Sequence, residues 1–243
     1  MTAPARNKWL PRMPSPTATS RVFLIPYSGC GTSMYRPWPQ QVDGVEFVPV
    51  ELPGHERRFA EPNFSSYREL AEQMAPGLEP YLDVPFGFFG HCGSALAAYE
   101  VSAELVRSGR ARPSRLFVSS EVAPQDGPAG RFLSMTDAEL MAELERLFDE
   151  LGTRPGLEVL DLYLEVLRAD VDTNKRYIVP DPLELPFPIT AIGWTEDDEI
   201  PYATMKGWTR CGDTTFVVLP GRHHRFMQAP PELLTLMRDG LRQ

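Results

Sequence analysis

The stretch that most constrains the fold is Pro85-Phe86-Gly87-Phe88-Phe89-Gly90-His91-Cys92-Gly93-Ser94, which leads straight into residues 95–106 (ALAAYEVSAELV). The aromatic run reads as a buried strand, the glycines and small residues as a tight turn, and the alanine-rich run as a helix of strong formers. Residues 115–120 (RLFVSS) then form another short strand. Strand, helix, strand in this order implies a parallel pair joined by a right-handed crossover. The chain is therefore expected in the α/β class, with a mostly parallel, doubly wound sheet.

Flanking segments extend that pattern. Residues 21–26 (RVFLIP) and 45–50 (VEFVPV) are strand candidates, and residues 65–74 have helical spacing with Ser65 or Ser66 as an N-cap. Between about 126 and 186 the alternation stops. One helix, capped by Thr136 or Asp137, runs to Glu150, and a second covers 157–170. This reads as a helical lid inserted over the C-terminal edge of the sheet. Strands resume at 187–193 (FPITAIG) and 214–219 (TTFVVL), and a helix over 230–241 closes the chain. The expected organisation is a flexible N-terminal arm over 1–20 and one domain over 21–243, without internal repeats.

Charge and cysteine content narrow the function. A net charge of −9 argues against nucleic acid, because phosphate binding needs a basic face. No run approaches the ~18 apolar residues of a membrane span, and the N-terminus lacks the apolar core of a secretory signal. Cys30, Cys92 and Cys211 are odd in number and include no CxxC pair, so a reducing cytoplasm fits better than a disulfide framework. With four histidines and no HExxH, no metal site is expected.

Chemistry concentrates in loops that follow strands. Gly90-His91-Cys92-Gly93-Ser94 has the form of a nucleophile elbow, with Cys92 at its tip and Ser94 where a smaller glycine is usual. A helix N-terminus and a neighbouring imidazole are expected to lower the thiol pKa and favour thiolate. The turn alone is equally compatible with a buried, inert cysteine. Gly193-Trp194-Thr195-Glu196-Asp197-Asp198-Glu199-Ile200 offers acids that could orient a histidine, or simply a solvated loop. Leu219-Pro220-Gly221-Arg222-His223-His224 supplies a candidate base, or a structural histidine pair. The order nucleophile, acid, histidine is that of the α/β-hydrolase fold. The loop Pro26-Tyr27-Ser28-Gly29-Cys30-Gly31 could hold an oxyanion; as a phosphate loop it lacks GxxxxGK[ST]. His91 is expected to pack within the turn, and His55 to be structural in a surface-type loop.

Together these segments resemble the stand-alone, type II thioesterases of polyketide and nonribosomal peptide synthesis over nearly the whole chain. PYSGCGTS followed by YRPW is similar to that family's P-[YH]-A-G-G-x and Y-x-x-W elements. Leu52-Pro53-Gly54-His55-Glu56-Arg57-Arg58 is similar to L-P-G-R-x-x-R, Phe89-Gly90-His91-Cys92-Gly93-Ser94-Ala95 to F-G-H-S-M-G-A, and Leu167-Arg168-Ala169-Asp170 to L-R-A-D. Residues 188–193 leading to Asp197 resemble P-I-T-A-x-G-G-x-x-D, and residues 220–224 resemble P-G-G-H-F.

The resemblance implies a Cys-His-Asp triad with Cys92 as nucleophile, His223 as base and Asp197 as orienting acid. It also implies an oxyanion hole from the amides of Ser28 and Gly93, with Asp198 and His224 as one-residue-shift alternatives. The implied partner is an acyl or peptidyl carrier protein whose phosphopantetheine bears the substrate; no separate cofactor is implied. Three departures fall at the site: Ser to Cys, Met-Gly to Gly-Ser, and Gly-Gly to Gly-Cys. An acyl group on Cys92 would be a thioester, which keeps the acyl group activated and favours amine, thiol or carbon acceptors over water more than an ester does. Acyl transfer or cyclisation is the leading expectation. An editing hydrolase and a noncatalytic carrier-binding protein are the alternatives.

Overall fold

The computed structural model describes residues 7–153 and 155–242. Among these residues are seven strands: β1 (Ser20–Leu24), β2 (Gln41–Val42), β3 (Val45–Pro49), β4 (Phe86–His91), β5 (Arg115–Ser119), β6 (Leu185–Trp194) and β7 (Gly212–Leu219). They form a single sheet in the order β2-β3-β1-β4-β5-β6-β7. Every pairing is parallel except that of β2 with β3. The helices are α1 (Tyr67–Leu78), α2 (Gly93–Arg107), α3 (Asp137–Glu150), α4 (Leu157–Arg176) and α5 (Pro231–Arg242). This is the α/β-hydrolase architecture expected from the sequence.

The burial pattern explains why the strands were legible. β1, β4 and β5 are buried at every position, as strands covered on both faces must be. β2 escaped sequence reading because it spans two residues. Its marker is the Asp43-Gly44 turn, where both residues take positive φ, a geometry suited to tight hairpins.

One apolar cluster joins the sheet to α1 and α2, and the other joins its opposite face to α5 and the α3–α4 pair. Ser66 caps α1, and Thr136 forms a reciprocal capping box with Glu139 at the start of α3. α4 continues six residues past the expected end at 170. Asp170, Thr173 and Asn174 bury a polar face there, and apolar periodicity could not reveal it.

Residues 1–6 of the expected flexible arm lie outside the described residues. From Asn7 onward the segment contacts the domain: Trp9 and Leu10 are buried, and the Arg58 guanidinium lies 4.4 Å from the Trp9 ring centre. No helix among the described residues is long and apolar enough to cross a membrane.

Candidate active site

The turn between β4 and α2 is a strained elbow. Cys92 adopts φ 54°, ψ −140°, a conformation that costs a non-glycine residue about 1–3 kcal/mol and persists only where its surroundings enforce it. Gly90 makes the turn possible, since a Cβ there would stand 2.2 Å from the Ser94 carbonyl oxygen. Ser94 is accommodated because its hydroxyl accepts the His91 N–H at 2.9 Å and lies 2.9 Å from the His91 carbonyl oxygen. The serine therefore ties the elbow closed. At Gly93, a Cβ would approach Tyr67 Oη to 2.9 Å and Asn174 Nδ2 to 3.2 Å, so the larger residue of the family pattern would require those two side chains to shift.

β4, β6 and β7 bring the candidate residues together from distant parts of the sequence. The ring Nδ1 of His223 lies 3.1 and 3.0 Å from the two carboxylate oxygens of Asp197. Asp197 also accepts from the Ser120 hydroxyl at 2.6 Å and from the backbone N–H groups of Glu199 and Ile200. Burial opposes the charge on Asp197, but these hydrogen bonds, led by His223, hold its carboxyl below the usual range. Among the described residues His223 Nε2 has no hydrogen-bond partner, and a Glu199 carboxylate oxygen lies 3.7 Å from it. Cys92 Sγ, a ring nitrogen of His223 and a carboxylate oxygen of Glu199 lie within 4.8 Å of one another. A cysteine, a histidine and a carboxylate are also donors that zinc accepts, a combination the sequence did not signal.

The one-residue alternatives sit elsewhere. Asp198 is exposed. His224 directs Nδ1 to Glu150 at 3.3 Å and Nε2 to the Tyr27 hydroxyl at 3.4 Å. His91 is fully buried as expected, with Nδ1 2.9 Å from the Ser119 hydroxyl and its ring stacked on Phe226.

The loop after β1 faces the elbow. Ser28 is buried, and its hydroxyl lies 3.4 Å from the position a Gly93 Cβ would take. The next residue, Gly29, has φ 75° and donates its N–H to Asp170 at 2.8 Å. The same Asp170 oxygen lies 3.0 Å from His55 Nε2. His55 was expected in a surface-type loop; it is instead buried, because α4 brings Asp170 against it. Burial disfavours the imidazolium, but Asp170 outweighs it and raises the His55 pKa. Asp170 thus joins α4, the loop after β3 and the loop after β1.

The thiol expectation is corrected. Burial pushes the Cys92 pKa well up, and the charges of Glu121 and Glu199 push it further; the Gly93 N–H offsets this only in part. A helix N-terminus and an imidazole would have favoured thiolate, but Cys92 is only 4% exposed. Gly130, in the segment between β5 and α3, comes so near that a Cβ on it would lie 3.8 Å from Sγ. Alkylation of Cys92 by iodoacetamide is therefore expected to be slow at pH 7 and to accelerate continuously above pH 9. A fast, pH-independent reaction in mass-spectrometric time courses would contradict the closed, protonated thiol.

Arg131 holds this covering segment down. Its Nε donates to Glu199 at 2.8 Å, and its Nη1 donates to Glu143 of α3 at 2.9 Å. Outside the covered thiol lies an open cleft of about 1120 Å³, bordered by His223, by Arg131, Arg146, Arg222 and Arg225, and by Asp198, Glu150, Glu196 and Glu199; these three glutamates are paired with three of the arginines.

Glu121 was missed by the sequence reading, though a glutamate two residues past the end of β5 was a visible signal. It is fully buried; one carboxyl oxygen accepts the Val122 N–H at 2.9 Å and the other has no partner among the described residues. Burial pushes its pKa up to about 8. Between its ordinary value and 8, the folded protein keeps a proton that the unfolded chain has released, so this group makes stability fall as pH rises. Glu121→Gln should remove that slope. Its stability advantage over the native chain should grow from pH 5 to 8 by up to a few kcal/mol, read from denaturant unfolding.

The thioesterase domain family matches residues 20–240, and the chain belongs to it. Among curated relatives, linear gramicidin dehydrogenase LgrE of Brevibacillus parabrevis is 30% identical, over 97% of this chain and 93% of that protein. Thioesterase PikA5 of Streptomyces venezuelae is 30% identical, over 83% of this chain and 73% of that protein. RedJ, the solved thioesterase of the prodiginine biosynthetic pathway in Streptomyces coelicolor, is 32% identical with a TM-score of 0.74 over 93% of this chain and 86% of that one. The activity in LgrE's name belongs to that protein. Here the loop after β1 lacks the third glycine of a dinucleotide fingerprint and leads into a 3-10 turn rather than a helix.

Proposed function

We propose that this chain is a carrier-protein-dependent acyl-processing enzyme that forms an acyl-Cys92 thioester and passes the acyl group to a nucleophile. The observation that carries the reading is the strained elbow holding Cys92 beside a His223 whose other nitrogen is fixed by Asp197. In this reading, His223 Nε2 takes the thiol proton as sulfur attacks the thioester carbonyl. Asp197 holds the imidazole in the tautomer with its proton on Nδ1 and stabilises the imidazolium. The amides of Ser28 and Gly93 receive the carbonyl oxygen as it becomes anionic. The leaving thiol of phosphopantetheine takes the proton back from His223.

The raised thiol pKa fits this sequence of events. A thiol kept protonated in the resting enzyme needs a base only when substrate arrives, which suits a group that must not react indiscriminately. The covering segment between β5 and α3 and helices α3 and α4 act as the lid. The three cysteines, all free and buried, suit a reducing cytoplasm.

Transfer is favoured over hydrolysis because Cys92 would retain the acyl group as a thioester beneath a cover that limits water. The editing hydrolase is the second reading, supported by membership of the thioesterase family. Product analysis separates them: with propionyl-pantetheine and a competing amine or thiol, the transferred product should exceed propionic acid. Acid as the sole product would assign the chain to hydrolysis.

A further inference from the structure

Two polar atoms near the Cys92 thiol are buried without a hydrogen-bond partner among the described residues: Nε2 of His223 and Oε1 of Glu199. Their side chains are only 7% and 4% exposed. Leaving such atoms unmet costs free energy, and a carboxylate oxygen costs most unless a cation meets it. Cys92 Sγ, a ring nitrogen of His223 and a carboxylate oxygen of Glu199 lie within 4.8 Å of one another. Glu199 Oε2 is 3.7 Å from His223 Nε2, too far for a hydrogen bond. Nitrogen and oxygen ligands of a tetrahedral zinc ion stand about 3.4 Å apart, given metal–ligand bonds of about 2.1 Å. Gly130 leaves room beside these donors. A Cβ there would lie 3.8 Å from Cys92 Sγ and 3.9 Å from Glu199 Oε1, and glycine has none.

The groups behind the donors are those that a metal centre uses. Asp197 holds His223 Nδ1, which turns Nε2 towards the gap, and such a carboxylate behind a histidine orients zinc ligands in general. Arg131 Nε donates to Glu199 Oε2 at 2.8 Å, which fixes the carboxylate and leaves Oε1 unmatched. Ionised cysteine and glutamate together carry two negative charges, equal to the charge of a divalent cation. A thiolate selects a soft metal such as zinc over magnesium or calcium. Both His223 and Glu199 border the outer cleft, which supplies the entry path such a site needs. Acylation employs the sulfur and the imidazole but gives Glu199 no task.

We propose that Cys92, His223 and Glu199 form a binding site for a single thiophilic divalent cation such as zinc, which occupies the elbow in place of an acyl group. Binding makes one bond each from the metal to Cys92 Sγ, His223 Nε2 and a Glu199 oxygen. The thiol proton passes to solvent, and the fourth position stays open to water. The metal takes the sulfur and the nitrogen that acylation requires, so the loaded chain is a blocked form that chelation releases.

The test is a titration of the chelator-treated full chain with cobalt(II), a coloured stand-in for zinc. A thiolate-to-cobalt charge-transfer band should appear, saturate at one metal per chain, and disappear when zinc but not magnesium is added. Cys92→Ala should lack the band. Glu199→Gln and His223→Ala should each need at least about tenfold more cobalt for half-saturation. No saturable band in the native chain, a band that survives Cys92→Ala, or unchanged affinity in Glu199→Gln would overturn the assignment. Circular dichroism checks the fold of each variant, and the native titration alone can overturn the site where a variant folds poorly. No substrate enters the titration, so failure to find an acyl-Cys92 adduct would count against the proposed function alone.

Discussion

Replacing His223 by alanine is expected to slow acylation of Cys92 by roughly 10³–10⁴-fold at pH 7. The size follows from the thiol: burial above all, with the charge of Glu199, holds Cys92 protonated, so little thiolate forms without a base. The pH dependence gives the sharper signature. Raising the pH ionises more of the thiol without assistance, so the deficit of His223→Ala should narrow steadily between pH 7 and 10. His224→Ala is the control. Its imidazole is bonded to Glu150 and Tyr27, and its loss should change acylation only severalfold. Rapid-quench acylation across this range reads both variants. A His223→Ala protein that acylates normally at pH 7, or a larger loss from His224→Ala, would move the base elsewhere.

The second large effect is expected at Asp170, a residue with no direct role in the proposed chemistry. Asp170→Ala would leave a buried His55 imidazole and the Gly29 N–H without their acceptor. Removing one partner of a buried pair costs about 3–5 kcal/mol. At roughly 2–4 °C per kcal/mol for a domain of this size, the melting temperature should fall by about 10 °C. Activity should fall as well, because Gly29 adjoins the Ser28 amide. Asp170→Asn, which retains an acceptor for Gly29, should recover part of the stability and most of the loop geometry. A melting temperature within 2 °C or so of the native value in Asp170→Ala would show that the network contributes little.

The sheet was readable because its central strands are short, continuous apolar runs between turn residues. The elbow was readable because a glycine turn separates the β4 strand from an alanine-rich helix. What the sequence could not supply came from tertiary contacts. The thiol pKa was misjudged because the helix N-terminus is local, whereas burial beneath Gly130 and the charges of Glu121 and Glu199 come from remote segments. His55 looked exposed until α4, more than 100 residues later, brought Asp170 to it. Ser94 looked like a weaker match to the elbow, yet its hydroxyl bonds within the turn. Glu199 belonged to an acidic run with several plausible roles, and only its pairing with Arg131 and its approach to His223 single it out.

The most direct test is intact-protein mass after brief mixing with alanyl- or propionyl-pantetheine, comparing the native chain with Cys92→Ala. The account predicts an adduct of the acyl mass on the native protein, absent from Cys92→Ala, removed by added thiol or amine faster than by water. An adduct that persists in Cys92→Ala, or turnover that survives the substitution, would contradict it.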